Sequence, residues 1–465
     1  MIRIFNQLVS LKTVLLIQVE GLLIFASFVA ATKLWFWKDP AGFTSHTRWP
    51  LFFAQCAIQL ALLLACFYYS GLYSIESTRN RLQQLIALTR SIGALWFISA
   101  ALSFLAPSLA MGRGVMILAL LLTLLSVITA RLVWDKLWRA AAPRRKVLLL
   151  GNGATAEAVA REIFRREDLS LSVFAFAAKT SKQAGGRFLG RPLLDLAKMA
   201  ESVTRVGVSH IIVALERDDE LPVADLMNLR LRGVSIDSAH EVLAALSGRI
   251  WLEAISPSDV IFKDGYQFPR FTQVWKRALD LFFGVSGILV TSPLMALTAL
   301  AVWLDSGRPI LYRQSRTGLY GKEFQLLKFR SMRIDAEPNG EPQWARLKDP
   351  RVTRVGAFLR AYRLDELPQF LNVVRGHMSF VGPRPERPSF VTQLRCQIPF
   401  YDARHSIRPG VTGWAQVEYK YGRTIADAVR KLEYDLFYVK NMSFAFDCAI
   451  ALKTLRIVLL GWGDQ

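Results

Sequence analysis

The sequence predicts a membrane protein in three parts: a bundle of four membrane helices, an α/β domain, and a C-terminal domain that enters the bilayer through a broken helix. Three observations carry this reading. The 465-residue chain is 52% apolar, with a mean hydropathy of +0.27, which is high for a soluble enzyme. Four apolar segments come first, at about 13–32, 51–70, 91–110 and 114–130. Much later, residues 281–304 form another charge-free stretch, with a proline at its centre.

Each of the first four segments is about long enough to cross ~30 Å of hydrocarbon as a helix. Together they predict a bundle over residues 1–140. Glu20 lies inside the first segment. An acid at that depth marks either a functional group or a helix–helix contact. Basic residues set the orientation. Arg79, Arg81 and Arg90 lie between the second and third segments, and Arg131, Lys136, Arg139, Arg144, Arg145 and Lys146 follow the fourth. The first loop carries Lys33, Lys38 and Arg48, and the third only Arg113. The bias places both ends of the bundle in the cytoplasm. No short apolar stretch ends in a small-residue cleavage site, so the first segment reads as a retained helix.

Residues 141–250 predict an α/β domain. Lys146 to Leu150 reads as a buried strand, Gly151-Asn152-Gly153-Ala154-Thr155-Ala156 as a turn, and the residues to about Arg166 as a helix. Ile211 to Leu215 reads as another strand. Alternating strands and helices imply a parallel, Rossmann-like sheet. The glycine turn suits a pyrophosphate. However, the following strand ends near Lys179 rather than at an acid that would hold a ribose, and a lone glycine turn is a weak signal. Residues 251–270, with Pro257 and Pro269, read as a linker.

Asp280 and Asp305 bracket the 24 uncharged residues Leu281 to Leu304, which Ser292-Pro293 divides into two halves of 12. Each half is only ~18 Å long as a helix. Pro293 removes a backbone donor and frees a carbonyl, which Thr291 or Ser292 can satisfy. Lys276 and Arg277 precede the stretch; Arg308, Arg313, Arg316 and Lys322 follow it. Basic residues on both sides favour a re-entrant helix, about 279–305, over a spanning one.

The net charge of +21 favours anionic partners such as lipid headgroups, nucleotides or sugar phosphates. Nucleic acid is not expected, since no helix-turn-helix, zinc-finger or RNP pattern is present. The cysteines, Cys56, Cys66, Cys396 and Cys448, form no CxxC pair, so neither a disulfide framework nor a zinc site is implied. Within this basic chain the adjacent acids Asp365-Glu366 follow the broken helix, a combination that suggests phosphate chemistry at the bilayer surface.

Four further segments sharpen this: Lys328-Phe329-Arg330-Ser331-Met332, Arg363 to Gln369, Gly382-Pro383-Arg384-Pro385-Glu386, and Arg408 to Gln416. In order and spacing they resemble the bacterial sugar-1-phosphate transferases, the monotopic phosphoglycosyl transferase family. Lys276-Arg277 with Asp280 and the Ser-Pro break fit the same pattern. The resemblance covers about residues 271–465. The preceding bundle and α/β domain resemble the family's large members, such as undecaprenyl-phosphate glucose or galactose phosphotransferases and exopolysaccharide-associated sugar transferases.

The resemblance implies a mainly α catalytic domain over 271–465 on the cytoplasmic side of a bacterial inner membrane. It implies transfer of a sugar-1-phosphate from a UDP-sugar to undecaprenyl phosphate, with release of UMP, to begin exopolysaccharide, O-antigen or capsule-type glycan synthesis. It implies Asp365 as the nucleophile that carries a phosphosugar, and Glu366 as a ligand of Mg²⁺. The chemistry is coherent with these residue types. A carboxylate can attack phosphorus and leave again, a hard cation neutralises a diphosphate, and arginines grip phosphate oxygens. Lys328, Arg330, Arg363 and Arg384 are the phosphate-binding candidates. Gly410, Thr412 and Gly413 are candidates for a loop near the nucleotide-sugar. Tyr434-Asp435 and Tyr438 resemble the family's later Asp-x-x-Tyr pattern.

Plainer readings stand beside these. Asp365 can cap a helix with Pro368 in its first turn. Lys328 and Arg330 can form a basic face on anionic lipid. Gly382 to Pro385 and the glycines at 410–413 can be rigid turns. Residues 444–462 read as an interfacial helix, and a homodimer through the bundle or α/β domain is compatible with the sequence. Two rival functions remain. A membrane-anchored NAD-dependent nucleotide-sugar dehydratase needs a Tyr-x-x-x-Lys base, and no tyrosine here has a lysine four residues on. A non-catalytic scaffold for glycan assembly leaves the ordered C-terminal motifs unexplained.

Overall fold

The computed structural model describes residues 2–4, 7–39, 43, 49–73, 81–109, 111–141, 145–179, 186–216, 220–254, 270–334, 351–419 and 424–460. Most of the expected linker, including Pro257 and Pro269, lies outside these residues, as do Arg48, Arg79 and Arg144. The chain forms two compact units, residues 1–4 with 8–239 and residues 5–7 with 240–465.

After two short N-terminal strands, Ile2–Ile4 and Gln7–Val9, come four apolar helices: α1 (Leu11–Trp35), α2 (Trp49–Tyr69), α3 (Arg81–Leu105) and α4 (Arg113–Ala141). They share one core that includes Ile24, Phe28, Cys56, Leu63, Leu95 and Val127. Glu20 is fully buried at a helix–helix contact. Its carboxylate accepts from Arg131 Nε of α4 at 2.5 Å and from Tyr73 OH at 2.8 Å.

The α/β part follows. Strand β1 (Arg145–Leu150) leads through the glycine turn into α5 (Ala154–Arg165). Then come β2 (Leu171–Ala178), β3 (Arg187–Phe188), β4 (Arg191–Asp195), α6 (Met199–Val206), β5 (His210–Val213), α7 (Val223–Leu231) and β6 (Ser235–Ser238). The strand order is β3-β4-β2-β1-β5-β6, parallel except for the β3–β4 hairpin. Val147 to Leu150 are wholly buried, as a strand covered on both faces requires. The order reverses between β1 and β5, the place where such sheets bind ligands. Here Glu216 fills it. A Cβ on Gly153 would lie 2.0 Å from Glu216 Oε1, so a carboxylate stands over the glycine turn where a diphosphate would need to approach.

The second unit opens with α8 (Ala239–Ser247), which the sequence grouped with the α/β domain. The residues after it pack on the C-terminal core. Trp414 Nε1 donates to Gly248 O at 2.7 Å, Ile250 N donates to Glu433 O at 3.0 Å, and Arg249 pairs with Glu433. Next comes α9 (Arg270–Ser306), which is longer than the expected 279–305 and takes in Lys276 and Arg277. It contains Pro293 and continues through it, rather than dividing into two helices. The physical reason lies one residue back. Ser292 Oγ donates to Leu289 O at 2.9 Å, the carbonyl that Pro293 leaves without its helical partner. Thr291 Oγ1 donates to Gly287 O at 2.6 Å. By length and composition, five helices among the described residues, α1–α4 and α9, are suited to cross a membrane.

Beyond α9 the unit contains the hairpin β7 (Leu311–Thr317) and β8 (Glu323–Phe329), α10 (Arg354–Ala361), α11 (Gln369–Val374), β9 (Ser379–Val381), α12 (Pro388–Gln397), β10 (Gly410–Thr412), α13 (Trp414–Glu418), α14 (Ile425–Asn441) and α15 (Phe444–Leu460). The core joins α13, α14 and α15 through Trp414, Phe437, Tyr438 and Phe446. Three residues at the start of α9 fasten it to the strands and turns below. Lys276 Nζ donates to Val381 O and Asp447 Oδ2, Arg277 donates to Val373 O and Val374 O, and Asp280 accepts from Ser379 Oγ and Phe380 N. A Cβ on Gly287 would meet the Phe370 ring at 2.8 Å, so α11 docks flush on the apolar helix.

Candidate active site

Asp365 and Glu366 occupy a 3-10 turn, Leu364–Glu366, between α10 and α11. The chain enters it through Arg363 at φ +55°, a left-handed conformation that a non-glycine residue keeps only where its surroundings impose it. Asp365 is 8% exposed. Asp365 does not cap the next helix: α11 starts at Gln369, with Pro368 at its cap position and no side-chain cap bond.

Three cations converge on Glu366. Arg384 Nη2 donates to Oε1 at 2.6 Å and Nη1 to Oε2 at 3.4 Å, a fork on one carboxylate. Lys328 Nζ, near the end of β8, donates to Oε1 at 3.2 Å. Burial pushes the Glu366 carboxyl up, but Arg384, Lys328 and Arg363 outweigh it and hold it well below the usual carboxylate range. For Asp365 the balance reverses. Burial raises its pKa, Lys328 offsets this only in part, and the neighbouring Glu366 charge adds to the rise. Two adjacent carboxyls are thus driven apart, one a fixed anion and the other a more basic carboxylate, which suits them to different roles.

The other sequence candidates divide. Arg330 is buried and faces the end of α9: its Nη2 donates to Ser306 O, to Ser306 Oγ at 2.9 Å and to Gly307 O at 2.8 Å. It therefore serves as a cation at a helix C-terminus. Its Nε and Nη1 have no partner among the described residues. Gly410 and Gly413 have a packing reason. A Cβ on either would stand 2.1 Å from the backbone of Gly382, so β9 and β10 can approach only as glycines allow. Thr412 is buried, with its hydroxyl 2.6 Å from that of Thr454. Ser292 and Pro293 lie inside α9, as described.

Sequence reasoning missed the residues that aim these groups. Asn372 on α11 is 1% exposed; it accepts from Leu327 N at 3.0 Å and donates to Gln325 O at 2.8 Å, fixing the strand that carries Lys328. Arg316 and Arg404 hold the backbone around Arg384. Nothing local marks them, because each acts on a segment distant in sequence. Asp435, singled out without a role, pairs with Arg404 at 2.8 Å; Tyr438 donates to Asp447 Oδ1 at 2.6 Å.

Among the described residues no group of three or more His, Cys, Asp or Glu side chains could hold a metal. Glu366 does supply a hard carboxylate, and Arg384 holds its Oε2 only at 3.4 Å. With oxygens from a bound diphosphate and water, this donor set fits Mg²⁺, which keeps several waters and takes one or two carboxylates.

The fold and site define a membrane protein whose carboxylate pair is ringed by arginine and lysine. Comparison with known proteins places it more closely. Residues 271–461 match the family model described as bacterial sugar transferase, and residues 69–237 match one described as CoA-binding domain. The UDP-N-acetylgalactosamine-undecaprenyl-phosphate N-acetylgalactosaminephosphotransferase of Aeromonas hydrophila is 39% identical over 258 residues, covering 55% of this chain and 60% of that protein. The UDP-glucose:undecaprenyl-phosphate glucose-1-phosphate transferase of Escherichia coli (strain K12) is 43% identical over 182 residues, covering 39% of each. The exopolysaccharide production protein PSS of Rhizobium leguminosarum bv. phaseoli is 42% identical over 188 residues, covering 39% of this chain and 94% of that protein. The matched regions span 60% and 39% of the first two relatives. The chain belongs to the bacterial sugar transferase family.

Proposed function

We propose that this protein transfers a sugar-1-phosphate from a UDP-sugar to undecaprenyl phosphate and so begins a surface glycan. The reaction is placed at the cytoplasmic face of a bacterial inner membrane, with α9 as a re-entrant anchor. The observation that carries the reading is the split carboxylate pair: a basic, buried Asp365 beside a Glu366 fixed as an anion by Arg384 and Lys328. The names of the relatives, which act on UDP-sugars and undecaprenyl phosphate, support the substrate classes.

The chemistry takes two balanced steps. Asp365 attacks the phosphorus that bears the sugar; the bridging P–O bond breaks and UMP leaves. An oxygen of the polyprenyl phosphate then attacks the same phosphorus, the bond to Asp365 breaks, and the carboxylate is regenerated. Arg384 and Lys328 spread charge along the diphosphate, and the buried setting of Asp365 limits attack by water. Held by Glu366, Mg²⁺ would supply neutralisation of the diphosphate charge.

The test is UMP release by the purified protein from a panel of UDP-sugars, with undecaprenyl phosphate and Mg²⁺. Release with one donor is expected, lost on adding EDTA and reduced on the order of 10⁴-fold or more in Asp365→Asn. Full activity in that variant at normal protein level would remove Asp365 as nucleophile. Silence with every donor would leave the scaffold reading.

A further inference from the structure

We infer that Arg404 and Asp435 are positioning residues for this reaction, aiming the Arg384 guanidinium at Glu366 without touching substrate. The inference rests on the reading above.

Arg384 sits between Pro383 and Pro385, and four successive carbonyls around it each receive a separate donor. Gly410 N donates to Pro383 O at 2.9 Å and Arg404 Nη2 to Arg384 O at 2.8 Å. Arg316 Nη1 donates to Pro385 O at 2.9 Å and Thr317 N to Glu386 O at 3.0 Å. The prolines limit φ at two of the positions, and the donors come from β10, the 3-10 turn Tyr401–Ser406 and β7. Such a turn can hold one long side chain in a single direction. Of these donors, only Arg404 bonds to the carbonyl of the arginine itself.

Arg404 is in turn fixed. It is 6% exposed; Asp435 Oδ2 lies 2.8 Å from its Nη2, and Nη1 donates to Tyr401 OH at 2.7 Å. A buried arginine needs a counter-ion, and Asp435, 2% exposed on α14, supplies it. Three links thus run from α14 to the carboxylate pair: Asp435 to Arg404, Arg404 to the Arg384 carbonyl, and the Arg384 fork to Glu366. A lysine at 404 keeps the charge but cannot serve Asp435, Tyr401 and the carbonyl together, because it lacks the planar fork.

Two readouts test this. In the first, a carbodiimide labels accessible carboxylates, and peptide mass spectrometry reports modification of Glu366 without any turnover. Glu366 should be protected in the parent protein and several-fold more labelled in Arg404→Lys and in Asp435→Asn. In the second, UMP release is measured for Arg404→Lys, Arg384→Lys and the double variant. Arg404→Lys should lower kcat on the order of tenfold, with a smaller change in KM for the UDP-sugar. In the Arg384→Lys background the same change should cost less than threefold, because there is no longer a fork to aim. Thermal unfolding identifies any variant that has lost its fold, and Asp435→Asn then stands in for Arg404→Lys. Unchanged Glu366 labelling in folded variants, or fully multiplicative losses in the double variant, would overturn the inference. No UMP release by the parent protein, with labelling changed as expected, would sink the reaction and leave the positioning intact.

Discussion

At Glu366 two opposing forces meet, and their balance decides what the neighbouring residue can do. Burial alone would neutralise both carboxyls. Arg384 and Lys328 reverse that for Glu366 and not for Asp365, because the guanidinium fork contacts only the former. A pH dependence follows. Asp365 must be ionised to attack, and its pKa is raised above the ordinary 3.8. The acid limb of kcat/KM should therefore lie above the normal aspartate range. Lys328 is the largest influence pulling Asp365 down. Replacing it, Lys328→Met, should move the limb to higher pH and lower the maximum rate. A limb that stays in place in the pH–rate profile would mean another group controls it. For stability the signs differ. Glu366, depressed, stabilises the fold above the ordinary range, and that contribution is lost as pH falls through its folded value; Asp365, raised, stabilises at low pH, and its contribution is lost as pH rises through its folded value. The acid pair and its basic neighbours were legible as motifs. The division of labour was not, since it depends on distances between groups 18 and 38 residues apart.

At the scale of elements, α9 is where pattern and structure diverge most usefully. The sequence pointed to a break at Ser292-Pro293, and the helix runs on because the serine hydroxyl takes the carbonyl that the proline frees. The lysine, arginine and aspartate at its start were legible as charged flanks and as part of the family's pattern; in the fold they are clamps on Val373 to Val381. The re-entrance proposed for α9 has a direct consequence. In a protein lacking its four native cysteines, Gln273→Cys and Lys322→Cys should both react with an impermeant maleimide from the cytoplasmic side and neither from the other. Labelling of the two from opposite sides would make α9 a spanning helix. Glycine supplied a different ambiguity. Besides the nucleotide-sugar loop that the sequence suggested, Gly410 and Gly413 have a packing role in the close approach of β10 to Gly382.

At the scale of the whole molecule, the border between parts is set by packing rather than by composition. Residues 240–254 continue the α/β sequence without a break, yet Arg249, Ile250 and Leu252 attach to α14 through Glu433, and Gly248 accepts the Trp414 indole. A fragment of residues 240–465 should therefore unfold at a higher temperature than one of 271–465, by about 3 °C or more, because the shorter one strands the Trp414 donor and removes the Arg249 pair. Equal melting temperatures by differential scanning fluorimetry would assign residues 240–254 no part in the stability of this unit.

The sequence by itself determined whatever is written in contiguous residues: the apolar helices, the parallel strands with their glycine turn, the acid pair, and the ordered motifs that mark the family. Helix and strand periodicity, turn chemistry and a dipeptide's charge are local, so they can be read along the chain. The tertiary structure alone decided which cation serves which carboxylate, that Arg330 faces the end of α9, that Glu216 covers the glycine turn, and that Asp435 acts through Arg404 on Arg384. Those outcomes rest on buried charges and carbonyls that must find partners once water is excluded, and the partners come from segments that only the packed fold brings within hydrogen-bond distance.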